Sequence, residues 1–188
     1  PIQLNGIGGG WSLSDSLITS GDFTHNQGSF STNNWTLRCH AFTSNNGVLD
    51  FGSSTVHCYS TGGYSSTAFR ISPAVQFLSS QSRVIIGDGH FYGAGHTYRS
   101  LSITGNREAY LRGVNHIVRL DCAPMNINLN EQLASLEGQD IDSLFCQRNY
   151  TNDHPALGSN QGDTILYAQV SGSINLSSGS SYLGKAIV

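Results

Sequence analysis

Charge is what this chain has least of. Only 11% of its 188 residues are Asp, Glu, Lys or Arg, against about 25% in ordinary soluble domains. Solubility therefore rests on Ser, Thr, Asn and Gly, as it does in many extracellular and virion β-proteins. Nine Lys and Arg are scattered singly against twelve Asp and Glu, for a net charge of −3. That leaves no basic field for DNA or RNA, and no nucleic-acid partner is expected. No apolar run approaches the roughly 18 residues that a spanning helix needs, and residues 1–20 lack the charged-then-apolar order of a signal peptide. Membrane insertion is not expected. Pro1 suits a protein made in the cytosol, as a virus structural subunit would be, or an engineered terminus.

Catalytic patterns are equally scarce. There is no G-x-S-x-G to hold a nucleophilic Ser on a strained turn, and the GIGGG stretch at 6–10 lacks the Lys and the strand-loop-helix setting of a phosphate-cradling loop. Glycoside cleavage needs two carboxylates facing each other across the bond. Asp88, Glu108, Asp121, Asp140, Asp142 and Asp153 fall in no such arrangement. Solenoid enzymes that cleave polysaccharides nevertheless spread their acids over one outer sheet, so that activity stands as the alternative to a non-enzymatic role. Four cysteines permit three pairings, and their spacing does not resemble a zinc site. No metal and no cofactor are expected.

What the chain does have is a repeat. GSFSTNNWTLRC, Gly28 to Cys39, lies without a gap over GVLDFGSSTVHC, Gly47 to Cys58, at a period of 19. Gly28 falls on Gly47, Phe30 on Leu49, Thr36 on Thr55, Leu37 on Val56 and Cys39 on Cys58. A period of about 20 residues is that of a solenoid coil. A hairpin of two strands with similar composition is the competing explanation. A looser form of the pattern recurs at Phe77/Arg83-Val84, Phe91/Thr97-Tyr98 and Tyr110/His116-Ile117, with starts 19, 28, 14 and 19 residues apart. Coils with variable loops have that unevenness.

From 22 to 122 the chain reads as short alternating strands cut by NNG, GG, GDG and GAG turns. Strands so short need partners on neighbouring coils, so Leu37, Val56, Val84, Ile103 and Ile117 are expected to form one apolar ladder. The expected fold is all-β: a right-handed β-solenoid (β-helix) over 22–122 behind an N-terminal cap, 1–21. A β-sandwich or jelly roll is the alternative. On adjacent coils Cys39 and Cys58 sit about 4.8 Å apart, inside the Cα range of a disulfide. An inward ladder of reduced thiols fits the same geometry and is the favoured reading.

Residues 123–188 read differently. NEQLASLEGQDIDSLFC, 130–146, carries Leu133, Leu136, Ile141, Leu144 and Phe145 at helical spacing, with Asn130 and Asp140 as caps, and predicts a short helical segment. Cys122 and Cys146 bracket it and are placed to staple it. A polar loop follows over 147–163, and then strands TILYAQV, SINL and YLGKAIV.

The densest polar cluster is GDGHFYGAGH, 87–96. Asp88, His90, Tyr92 and His96, with Arg99 nearby, are the candidate ligand-binding residues. Two His six positions apart with an Asp are compatible with zinc, but less specifically than H-E-x-x-H on a helix.

The run GDFTHNQGSFSTNNWTLRCHAFTSNNGVLDFGSSTV, followed by SRVIIGD and FYGAGHTYRSLSITG, resembles a repetitive module of phage tail-fibre and bacterial surface proteins, over about 21–122. The resemblance implies a right-handed β-solenoid used structurally or for attachment, tail-fibre or spike-like, on a virion or extracellular surface. It brings no catalytic motif. Other virion or surface proteins are the expected partners, and host glycans join them on composition, since eight Tyr and two Trp with many Asn, Ser and Gly suit an adhesin's carbohydrate binding. A short solenoid exposes unpaired end strands and this one has little charge to repel a neighbour. A homo-oligomer is therefore expected, a trimer by the habit of fibre-like proteins, with 130–146 or 164–188 touching a second subunit.

Overall fold

The computed structural model describes residues 1–60, 66–78, 81–105, 109–122, 132–135, 139–147, 149–152, 161–170, 173–176 and 180–187. Every strand pairing in it is parallel. Successive turns of one coil stack strand on strand, which is a β-solenoid. A sandwich or jelly roll is built from antiparallel strands and is excluded.

Three sheets form the walls. A phenylalanine sheet of nine strands runs from Ile2–Leu4 through Phe23–His25, Phe42–Ser44, Thr67–Ile71, Gly89–Tyr92 and Ala109–Arg112 to Ile174–Leu176. A cysteine sheet runs from Leu17–Ile18 through Leu37–Cys39, Thr55–Cys58, Arg83–Ile86, Ser100–Ile103, His116–Cys122, Asp140–Cys146 and Gln161–Val170 to Ser180–Ile187. A short sheet of four strands, Gly10–Ser12, Ser29–Ser31, Gly47–Asp50 and Val75–Phe77, closes the early turns. The sheets cross both ends of 22–122, since Ile2 pairs with Phe23 and Cys122 with Cys146.

The core is made of columns, one residue per turn. Phe23, Phe42, Phe69 and Phe91 stack ring on ring, at centroid distances of 5.7, 5.3 and 5.1 Å. Such pairs add about 0.5–1.5 kcal/mol each beyond the burial itself. Phe30, Leu49 and Phe77 make the matching column on the short sheet. On the cysteine sheet, Cys39, Cys58, Ile86, Ile103, Cys122, Cys146 and Val170 are one column. All four cysteines are buried thiols.

Turns hold the columns in register. Gly47 has φ +91°, and a Cβ on it would lie 2.1 Å from the Gly28 carbonyl oxygen, so the two aligned glycines of the repeat are stacked turn on turn. Asn34, at φ 66°, accepts hydrogen bonds through Oδ1 from the Ser53 amide at 2.8 Å and hydroxyl at 3.0 Å one turn away.

Three expectations change. The expected apolar ladder continues from Leu37, Val56 and Val84 to Leu101 and Leu120, with Ile103 in the cysteine column and Ile117 paired to Tyr98 and Ile141. The short sheet ends at Phe77, so Phe91 belongs to the phenylalanine sheet and the phase moves. The described part of the expected helical segment is not helical: within 130–146, Gln132–Ser135 and Asp140–Cys146 are strands. Ile141, Leu144 and Cys146 point inward while Asp142 and Ser143 both point out. That extra outward residue produces the three-residue spacing that imitates a helix. Cys122 and Cys146 are registered neighbours on parallel strands.

Candidate functional site

With the side chains of the core committed to columns, chemistry can only stand on the outward columns. Two of these stand out. On the cysteine sheet, Ser102, Asp121, Phe145 and Gln169 are successive register partners. They line a groove of about 390 Å³ with Arg83, Thr104 and Gln147. The Arg119 guanidinium lies over the Phe145 ring at 4.4 Å and grips Asp121 through two bonds of 2.8 and 2.9 Å. Tyr167 stands 5.7 Å from Phe145 on the next turn, and Arg83 donates to the Ser102 hydroxyl at 3.2 Å. The groove thus sets a half-buried aromatic ring, with the Arg119 guanidinium over it, among amide and hydroxyl groups that can hydrogen-bond a bound molecule.

The second outward column is on the phenylalanine sheet: Gln3, Thr24, Thr43, Arg70, Tyr92 and Arg112, in register throughout. Arg70 and Arg112 flank the Tyr92 ring from the turns on either side, at 5.9 and 5.7 Å. Beside it, His90 stacks on Tyr110 at 5.0 Å and its Nδ1 accepts from Arg112 Nε at 3.1 Å.

The residues singled out in GDGHFYGAGH divide among these settings. His90 and Tyr92 stand together, with ring centroids 5.6 Å apart. Asp88 is buried in the preceding turn, where its amide donates to the Ser60 carbonyl. His96 lies beyond the Gly93–Gly95 turn with its ring 5.4 Å from Phe77, and burial lowers its pKa. Arg99 is exposed between the two short strands that follow. His96 and His90 are thus on different walls, which separates the H-x5-H pair. The chain matches no protein-family model, no curated protein and no solved structure. Its site has to be read from its own residues.

One other cluster groups titratable side chains. His116 Nδ1 is 2.8 Å from Asp140 Oδ2 and its Nε2 is 3.6 Å from Asp142 Oδ2. One nitrogen of His116 and one oxygen from each aspartate lie within 4.8 Å of one another, close enough to share a cation, and the three side chains are exposed or half-buried. The arrangement is that of an imidazole held between two acids. These carboxylates do not suit glycoside cleavage: they project from one side of one strand with the imidazole between them, whereas the reaction needs them on opposite sides of the bond.

Sequence reasoning missed Arg70, Arg112, Asp121, Phe145 and Tyr167 as site residues. The signal for the first two was present, because Arg70, Tyr92 and Arg112 recur at close to the coil period. The Phe145 groove carried no such signal, since its strand was read as helix.

Proposed function

We propose that this chain is a non-enzymatic structural and attachment module of a virion or cell surface, tail-fibre or spike-like, that holds a glycan on its outer face. The observation that carries the reading is the Phe145 groove. Its aromatic ring and polar rim offer a sugar apolar contact and hydrogen bonds, and among the described residues that line it the one carboxylate, Asp121, is held by Arg119. A groove so furnished can bind a saccharide, and among its described lining residues no second carboxylate stands opposite Asp121 to cleave it. The stacked coil supplies a rigid wall for repeated display, in keeping with the low charge and Ser, Thr and Asn-rich surface.

Screening purified protein against a glycan panel tests this directly. Binding is expected and is lost in Phe145→Ala, while the chain length of a bound polysaccharide stays unchanged after long incubation. Shortening of the polymer would replace this reading with the polysaccharide-cleaving enzyme.

Self-association belongs to the same proposal. Among the described strands Ser180–Ile187 is paired on one side, with Gln161–Val170, and it carries exposed Tyr182 and Ile187. An edge of that length invites another strand. A trimer is the expected state, and light scattering at micromolar concentration checks it; a clean monomer removes the assembly from the proposal.

A further inference from the structure

Arg70 and Arg112 have no carboxylate within ion-pair distance among the described residues, whereas Arg119 has Asp121. Two cations held two turns apart on one straight column repel each other, and the Tyr92 ring between them only partly offsets that. Their outer N–H groups face solvent: Arg70 is exposed, and Arg112 is half-buried with its Nε taken by His90. The Tyr92 phenol stands between them, and the same column continues through the hydroxyls of Thr43 and Thr24 to the Gln3 amide. Parallel strands repeat about every 4.8 Å, so donors recur along a line parallel to the solenoid axis, with positive charge at alternate turns of its central part.

We propose that this column is a binding track for an acidic polysaccharide, with Arg70 and Arg112 each taking an anionic group of the extended chain and Tyr92, Thr43 and Thr24 taking its hydroxyls. Guanidinium suits both carboxylate and sulfate ester, through paired N–H donors. The surface favours a sugar polymer over a nucleic acid because the positive charge is confined to two side chains among hydroxyls, on a chain of net charge −3. Dense phosphate needs a wider basic field. The track is separate from the Phe145 groove, so it goes beyond the reading above and stands or falls on different residues.

The test is titration calorimetry of the full chain with an oligogalacturonate, a sulfated galactan oligomer, a neutral galactan oligomer and a single-stranded oligonucleotide. Arg70→Gln, Arg112→Gln and Phe145→Ala are compared with the parent protein. Arg70→Gln should match the parent in circular dichroism and melting temperature, and Arg112→Gln, which gives up its bond to His90, should keep the parent's circular dichroism with a slightly lower melting temperature. One or both acidic oligomers should bind, more weakly as salt is raised, and each Arg→Gln change should weaken that binding about tenfold or more. The choice between uronate and sulfate decides the source of the anion. Arg112→Lys should restore part of the affinity, as a point charge without the fork. Failure of both acidic oligomers to bind, indifference to both Arg→Gln changes, or equal affinity for the oligonucleotide overturns the track. Neutral binding lost only in Phe145→Ala would leave the groove reading standing while the track falls; acidic binding lost only in the Arg variants would do the reverse.

Discussion

Cys39 Sγ lies 4.0 Å from Cys58 Sγ across one turn of the solenoid, and the two residues are register partners on parallel strands. That places the repeat of the sequence directly in the stacking of the fold. It also has a chemical consequence. Both thiols are fully buried, and burial, with Cys39 alongside, pushes the Cys58 thiol well above its ordinary value. The thiolate is the reactive form, so native protein should resist a maleimide for many minutes and take up four labels on unfolding, counting Cys122 and Cys146. Mass spectrometry reads the count. Rapid native labelling, or a mass short by two hydrogens, would show that the pair is open or oxidised.

Phe69 sits between Phe42 and Phe91 in the ring column, with no exposed surface. Phe69→Ala should cost about 3–5 kcal/mol in urea unfolding, because the stacked turns above and below cannot collapse onto the void. Phe69→Leu should cost much less, since most of the volume is kept.

Gly47→Ala should destabilise the chain by clearly more than the about 1–2 kcal/mol that a left-handed backbone costs an L-residue. The new Cβ would press on the Gly28 carbonyl oxygen. Gly8 is the control, at φ +69° with nothing within 4 Å of the added carbon. Gly8→Ala should show the backbone cost alone, and equal losses at the two sites would refute the stacked-turn account.

Asn115 is buried at a corner and donates through Nδ2 to Arg112 O, Gly113 O and Gln139 Oε1, while its Oδ1 accepts from the Gly95 amide at 3.2 Å. Asn115→Ala should lower stability by about 1–3 kcal/mol, the cost of buried partners left unsatisfied. Thermal melts of the variant at neutral pH measure it.

Acid should destabilise the fold through histidines that burial holds below their ordinary pKa. Burial lowers the pKa of His25, whose Nδ1 meets the Ser44 hydroxyl at 2.9 Å, and it likewise lowers His57, beside Arg38 and Arg83, and His96. The unfolded chain protonates each His near its ordinary value of about 6.5. Between that pH and the lower folded values the unfolded state holds more protons, so stability falls as pH drops below about 6.5 and is level above it. Melting temperatures from pH 8 down to pH 5 check the sign, and His25→Gln should flatten part of the slope. A rise in stability over that window would contradict the burial of these rings.

What the sequence determined by itself was the coil. The agreement of Gly28 with Gly47 and of Cys39 with Cys58 specified both the period and the turns that must stack, because a glycine forced to positive φ and a small buried thiol leave a visible trace in composition. Most of the candidate site was not legible. Which turn lies over which depends on loop lengths that differ at every coil, so Ile103 and Ile117 changed columns and Phe91 changed sheets. The segment that forms Asp140–Cys146 spaced its apolar residues as a helix would, and only its pairing with His116–Cys122 shows two adjacent outward residues instead. Tertiary structure alone decided that Phe145 meets Arg119 and that Arg70, Tyr92 and Arg112 share one line. In a parallel solenoid the neighbours of a side chain lie a full turn away, and the register of that turn is set by the packing of the whole column rather than by any local stretch.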